Sequence, residues 1–236
     1  MRTVALIPVR LASTRLPNKP LIKINGISML QIVYNHVKKS NVDDVFVACC
    51  DDEIIDEVIK FGGKYIKTSS NHKNGTSRII EAIEQIDADY ILNVQGDEPL
   101  LTKKSINKLI EYINPSDSVY SLYNLLNDDI DNPNTVKLVT NMNDYAIYFS
   151  RSRIPYSREK FNSYKKHIGI YLYTKEFLES FAKMGESSLE IAESLEQLRI
   201  IENGFKIKMV YTDEFLIGVD SYEDLEDVRR IMNEKN

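Results

Sequence analysis

Cysteine is nearly absent. The chain of 236 residues has two, Cys49 and Cys50, adjacent in sequence. Neighbours on a strand point to opposite faces, so the pair cannot readily bridge, and no disulfide framework is available. Two cysteines and three scattered histidines also give no zinc-binding spacing. Both cysteines read as small core residues in a reducing compartment, and the expected location is the cytoplasm. No apolar run approaches the roughly 20 residues of a membrane span. Met1-Arg2 leads into a short strand-like run, not a signal peptide. Positive charge is not in excess either: 30 Lys and Arg face 35 Asp and Glu, a net charge of -5. That balance argues against a general nucleic-acid binder. Neither the GxxxxGK[ST] phosphate loop nor the GxGxxG dinucleotide turn occurs. Repeats, low-complexity segments and a clear linker are missing as well.

What remains is an ordinary globular composition, 43% hydrophobic and 28% charged, in a chain long enough to bury a substantial core. The first half alternates strand-like and helix-like segments. Val4 to Ile7 is a continuous apolar run, as expected of a strand buried on both faces. Ser28 can cap a helix through Lys38, with Leu30, Val33 and Val37 on one face. Asp44 to Cys49 reads as a second strand, and Glu53 to Phe61 as a helix stopped by Gly62-Gly63. Strands are expected at Tyr65 to Lys67 and Tyr90 to Val94, and helices at Thr76 to Ile86 and Lys103 to Ile113. Repeated β-α units predict a mostly parallel, Rossmann-like α/β sheet with helices on both faces. The second half differs. Val136 to Thr140 and Tyr145 to Phe149 read as a hairpin around a four-residue turn. His167 to Tyr173 reads as a strand, Leu189 to Glu202 as a helix, and Lys206 to Tyr211 as a strand. Ser221 and Asp224 can form a capping box for the last helix.

Sheets of this kind bind ligands beyond the C-terminal ends of their strands. Two polar stretches fall at such ends. After the first strand, Arg10, Arg15 and Lys19 lie within ten residues. Arginine offers a planar fork of donors and lysine a point charge, a set suited to phosphates; a solvated basic loop is the plain alternative. After the fourth strand comes Gln95-Gly96-Asp97-Glu98-Pro99. A carboxylate there, facing a polyphosphate, suits Mg²⁺, which takes one or two protein carboxylates and completes its shell with water and phosphate oxygen. Asp97 is the better ligand, and Gly96 permits close backbone approach. Asp220, ahead of the last helix, is either a second metal ligand or a residue favoured by the helix dipole. His72 lies in a polar loop before a helix with Arg78 one turn in, an arrangement for an anion or a base edge. A lone histidine is more often structural, and His36 reads as a surface residue.

Taken together, several stretches resemble the 3-deoxy-manno-octulosonate (Kdo) cytidylyltransferase family. They are Ile7 to Leu21, Asn93 to Pro99, Tyr148-Phe149-Ser150-Arg151, His167 to Tyr171, Leu195-Glu196-Gln197-Leu198-Arg199 and Gly218-Val219-Asp220. The first alone indicates a sugar nucleotidyltransferase; the His167 and Leu195 stretches are more specific. The resemblance implies a nucleotide-diphospho-sugar transferase fold, one domain over residues 1–236, and a β-rich dimerisation and sugar-pocket segment at about 117–185. It implies a cytoplasmic homodimer that uses CTP and Mg²⁺ to make CMP-Kdo for lipopolysaccharide or capsule. By this analogy Arg10, Ser13, Arg15 and Lys19 hold the triphosphate, Asp97 and Asp220 hold magnesium, and Arg78 and Gln95 lie by the cytidine. Arg151, His167, Tyr171, Glu196 and Gln197 line the sugar-acid pocket, with Arg10, Lys19, Asp97 and Asp220 closest to the chemistry.

The chain departs from the family pattern in places. The usual His-x-Ser-Gly-Thr-Glu-Arg is His72-Lys73-Asn74-Gly75-Thr76-Ser77-Arg78. The usual Ala-Thr-Asp is Ala48-Cys49-Cys50-Asp51, and the usual Arg-Ala-x-Ile-Pro is Arg151-Ser152-Arg153-Ile154-Pro155. The extra cation Arg153 keeps an amino variant of Kdo or a nine-carbon keto-acid open as substrate. A nucleotide-binding protein without turnover is the alternative of another class, and the pair Asp97 and Asp220 counts against it.

Overall fold

The computed structural model describes residues 1–12, 15–126 and 128–234. They divide into two compact units, Met1–Asn107 with Phe215–Asn236, and Lys108–Glu214. In chain order the first unit contains β1 (Thr3–Pro8), β2 (Lys23–Ile24), β3 (Ile27–Ser28), α1 (Met29–Lys38), β4 (Asp44–Cys49), α2 (Asp52–Lys60), β5 (Tyr65–Lys67), α3 (Gly75–Ile83) and β6 (Tyr90–Asn93). Helix α4 (Lys103–Glu111) carries the chain across the division. The second unit contains β7 (Val119–Leu126), β8 (Lys137–Thr140), β9 (Ala146–Ser150), β10 (Tyr164–Thr174), α5 (Lys175–Phe181), α6 (Ser188–Glu193), α7 (Gln197–Glu202) and β11 (Lys208–Tyr211). Helix α8 (Tyr222–Glu234) belongs to the first unit again.

In the first unit the strands pair in the order β6-β1-β4-β5, all parallel. All six residues of β1 are buried, as a strand without polar alternation requires. Because the strands run the same way, the segments following Pro8, Cys49, Lys67 and Asn93 leave from one edge. The expected caps form. Ser28 Oγ accepts from Gln31 N–H at 3.3 Å, and Gly62 takes a φ of 71° after α2. Helix α3 stops at Ile83, short of the expected Ile86, as the chain tightens into i→i−3 bonds from Gln85 and Ile86. The sequence reading does not include the hairpin of β2 and β3, which turns at Asn25-Gly26, both at positive φ, the dipeptide that a tight two-residue turn favours. Cys49 is fully buried, and burial pushes its thiol up to about 12. Cys50 departs from the core expectation: it is half-buried, with Sγ 3.5 Å from Asp51 Oδ2 and 3.7 Å from Arg78 Nη2.

In the second unit β7 pairs antiparallel with β10 and parallel with β11, and the expected hairpin β8–β9 joins through β8 to β10. Strand β7 and helix α5 were not read from the sequence. The helix expected at Leu189 to Glu202 is broken into α6 and α7, with Ser194 in the left-handed region at φ 52°. The cause is a competing set of hydrogen bonds. Arg151 Nε donates to the Glu193 carbonyl at 2.8 Å and Nη2 to the Ser194 carbonyl at 3.3 Å, so these groups do not continue a helical ladder. The Glu193 carboxylate accepts from Ser150 Oγ at 2.6 Å and Arg151 N–H at 2.9 Å.

Candidate functional site

A cleft of about 450 Å³ opens in the first unit, a volume within the range of small-molecule sites. Arg10, Arg15, Lys19, Arg78, Gln95, Asp97 and Asp220 all line it. The segments that meet here leave the C-terminal ends of parallel strands β1, β5 and β6, and the approach to α8 completes the lining. Ser13, expected beside the phosphates, lies outside the described residues.

Lys19 is the centre of the charge arrangement. It begins a short 3-10 turn, Lys19–Leu21, and its Nζ lies 2.5 Å from Asp97 Oδ2 and 3.0 Å from Asp220 Oδ1. Burial pulls the ammonium pKa down, but the two carboxylates outweigh it, and the net shift is upward. Lys19 is therefore a fixed cation. Arg15 Nη2 approaches the other oxygen of Asp220 at 3.3 Å. Among the described residues, Arg10 Nη1 reaches a backbone carbonyl alone, that of His72, at 3.5 Å.

Two glycines and one backbone bond set the carboxylates. A Cβ on Gly96 would stand 2.3 Å from Val9 Cγ1, so the chain can pass between Gln95 and Asp97 only without a side chain. Val219 N–H donates to the Asp97 carbonyl at 2.8 Å, fastening the two acidic segments together. A Cβ on Gly218 would lie 3.1 Å from Glu98 Oε1. The expected capping box follows: Ser221 N–H donates to Asp224 Oδ2 at 2.8 Å and Asp224 N–H to Ser221 Oγ at 3.2 Å. Asp220 N–H also donates to Asp224 Oδ2, at 3.0 Å. Asp220 thus stands at a rigid helix entrance with its own carboxylate toward Lys19.

The opposite wall is the start of α3. Arg78 is almost fully buried; Nη1 donates to Thr68 Oγ1 at 2.5 Å and to the Ser69 carbonyl at 3.2 Å. Gln95 is oriented by a 3.0 Å bond from its Nε2 to Asn93 Oδ1. His72, expected beside an anion or a base edge, lines the cleft together with Lys73, Asn74 and Gly75, which had no assigned role. The available signal was their place just before a helix. His72 Nε2 bonds the Glu81 carboxylate. Asn74 Oδ1 accepts from Ser77 N–H at 2.9 Å, and the Ser77 hydroxyl returns the contact, making a full capping box. The family's Ser-x-x-Glu pattern is itself a capping-box pair. The two departures at 74 and 77 compensate each other, and the helix start is kept.

The remaining expected residues lie in the second unit. His167 and Tyr171 are neighbours, ring centroids 5.4 Å apart, and Phe149 meets His167 edge-on at 4.9 Å. Burial pushes the imidazole pKa down to about 3, so His167 is neutral at pH 7. Burial, with the Glu196 charge second, holds the Tyr171 hydroxyl well above its usual range. Glu196 and buried Gln197 open α7. Arg151 differs from expectation. Its fork, expected to face a substrate carboxylate, donates to the carbonyls of Pro133 at 3.0 Å, Glu193 and Ser194, and so holds the α6–α7 junction.

The residues present fit a magnesium ion. Two hard carboxylates converge on one point of the cleft, occupied by an ammonium. No cluster of three or more metal-ligating side chains occurs among the described residues, so phosphate and water would complete the shell. No helix of the described residues is long and apolar enough to cross a membrane.

The cytidylyltransferase family model matches residues 4–207. A 3-deoxy-manno-octulosonate cytidylyltransferase of Fusobacterium nucleatum is 50% identical, covering 100% of this chain and 99% of that one. The protein of the same name from Thermodesulfovibrio yellowstonii is 44% identical, over 99% of each chain. A structure of CMP:2-keto-3-deoxy-manno-octonic acid synthetase complexed with CTP superposes with a TM-score of 0.97 at 38% identity, over 100% of both chains. Likeness of this extent, along the whole chain, places the protein in the 3-deoxy-manno-octulosonate cytidylyltransferase family.

Proposed function

We propose that the protein transfers CMP from CTP to the anomeric hydroxyl of 3-deoxy-D-manno-octulosonate, releasing pyrophosphate. The observation that carries this reading is the convergence of Lys19, Arg15, Asp97 and Asp220 in one cleft, on a chain 50% identical to a relative of that name. The hydroxyl attacks the α-phosphorus and gives up its proton to water, the bond from that phosphorus to the bridging oxygen breaks, and pyrophosphate leaves with the electron pair. Transfer of this kind needs alignment and charge neutralisation more than covalent help from the protein.

Arg10, Arg15 and Lys19 bind the triphosphate, and Ser13 belongs to the same loop. As permanent cations, Lys19 and the arginines offset the charge that grows on the leaving pyrophosphate. Asp97 and Asp220 hold magnesium. When bound, that ion neutralises phosphate charge and lowers the pKa of a hydroxyl it contacts. Arg78 and Gln95 face the cytidine. Gln95 offers both a donor and an acceptor, and Asn93 fixes its orientation. His167, Tyr171, Glu196 and Gln197 receive the sugar acid. Arg151 supports that set by holding the α6–α7 junction. The protein works in the cytoplasm as a homodimer, with residues of about 117–185 at the dimer contact and the whole chain serving as one nucleotidyltransferase domain. Its product feeds lipopolysaccharide or capsule synthesis.

The test is pyrophosphate release with CTP, UTP, ATP and GTP against a panel of keto-acids: Kdo, 8-amino-Kdo and a nonulosonate. Turnover is expected with CTP and Kdo. Equal turnover with UTP defeats the base assignment, and a preference for another acid moves the substrate.

A further inference from the structure

Ser121 sits in the middle of β7, fully buried, and plays no part in the reading so far. Opposite it, β10 carries a bulge. Ile168 pairs with Leu122 and Tyr171 with Ser121, so Gly169 and Ile170 face no residue of β7. The Ser121 hydroxyl fills that gap. Its Oγ lies 2.9 Å from the Ile170 carbonyl oxygen, 3.2 Å from the Ile168 carbonyl oxygen and 3.0 Å from His167 Nε2.

A hydroxyl has one proton, and carbonyl oxygens can only accept. If the Ser121 proton pointed to Nε2, two oxygen–oxygen contacts would have no hydrogen between them. Two bulge carbonyls beside a buried hydroxyl would also lose its donor, which is costly away from water. With the proton on a carbonyl, Oγ presents a lone pair to the imidazole, and Nε2 must then donate. The other ring nitrogen, Nδ1, has no hydrogen-bond partner among the described residues, and it is not sealed from solvent.

We infer that Ser121 is a positioning residue: it holds neutral His167 as the Nε2–H tautomer and so leaves Nδ1 as an acceptor for a hydroxyl of the sugar acid. This rests on the placement of His167 in the sugar pocket. Neutral imidazole has two tautomers, and the hydrogen bond made by one nitrogen decides the role of the other. Here the bulge carbonyls act through one hydroxyl to choose the acceptor. A pocket group committed to accepting favours a substrate with a hydroxyl at that point and disfavours one that offers only a lone pair.

The experiment is NMR of protein carrying ¹³C,¹⁵N-labelled histidine at pH 7, with His167→Gln to assign the signal, beside steady-state kinetics of Ser121→Ala. The expected wild-type spectrum shows His167 protonated at Nε2 alone. In Ser121→Ala both tautomers are expected, with KM for Kdo raised roughly tenfold and KM for CTP unmoved. Ser121→Cys retains a weak donor and should recover part of the loss. An Nδ1–H signal in the wild type overturns the inference, even if the variants fail to fold. So does a Ser121→Ala protein with unchanged tautomer and unchanged sugar KM. If the Nε2–H tautomer holds but no keto-acid supports turnover, the functional reading falls and the tautomer assignment stands.

Discussion

Replacing Gly96 by alanine puts a methyl group where Val9 Cγ1 is only 2.3 Å away. Carbon atoms in contact sit at about 3.5–4.0 Å, so one side must retreat by more than about 1 Å. Neither side retreats easily. Gly96 is buried, and the next carbonyl, of Asp97, accepts from Val219 N–H at 2.8 Å. Val9 is buried too, and its own N–H bonds the Ala48 carbonyl at 3.0 Å. Overpacking of this kind costs about 1–3 kcal/mol, which for a chain of this size lowers the melting midpoint by roughly 2–12 °C. The same shift displaces Asp97 from Lys19, and a displacement of about 1 Å can reduce turnover on the order of 100-fold. Calorimetry and pyrophosphate release read the two effects on one preparation. Val9→Ala removes Cγ1, the methyl that the new Cβ would strike. The double variant Val9→Ala/Gly96→Ala should therefore recover most of the turnover lost by Gly96→Ala, to within roughly tenfold of wild type, because contacting residues couple. A Gly96→Ala protein with wild-type melting and turnover refutes the close-approach reasoning. So does a double variant no more active than the single one.

Asp97→Asn should reduce pyrophosphate release by roughly 100-fold or more while moving the melting midpoint by about 2 °C or less, because Lys19 keeps Asp220; a collapsed melt would make Asp97 structural. EDTA should abolish release and added MgCl₂ restore it, and full activity in EDTA would end the metal assignment. Arg151→Ala strips donors from three backbone carbonyls, so stability should fall on the order of 2 kcal/mol in chemical denaturation; an unmoved midpoint would return Arg151 to a substrate-facing role. His167 has its folded-state pKa depressed to about 3 from an unfolded value near 6.5. Between these values the unfolded chain binds the extra proton, so this contribution is fully present above about pH 6.5 and is lost as pH falls toward 3. His167→Gln should flatten the loss of stability between about pH 6.5 and pH 4, and a slope identical to wild type would show that His167 does not titrate in this way.

Local patterns were legible in the sequence because their causes are local. The unbroken apolar run of β1, the Ser28 cap, the Gly62 stop and the Ser221–Asp224 box each depend on residues a few positions apart. The site loops were legible for a related reason. In a parallel sheet, chemistry collects beyond the strand ends, so charged residues after an apolar run stand out: Arg10, Arg15 and Lys19 after β1, Asp97 after β6. Asn25-Gly26 was equally local and was overlooked. Other features depend on partners far along the chain. Helix propensity runs unbroken from Leu189 to Glu202, yet Arg151 captures the Glu193 and Ser194 carbonyls and splits the helix, a contact about 43 residues away that no window contains. Strand β7 took its place from pairing with β10 and β11, since strand preference reflects neighbours more than backbone. The sequence by itself determined which groups could hold phosphate and metal. Only the tertiary structure decided that Lys19 would stand between Asp97 and Asp220, because those residues are 78 and 201 positions from it. Only the packed chain sets the distances on which attraction between charges depends.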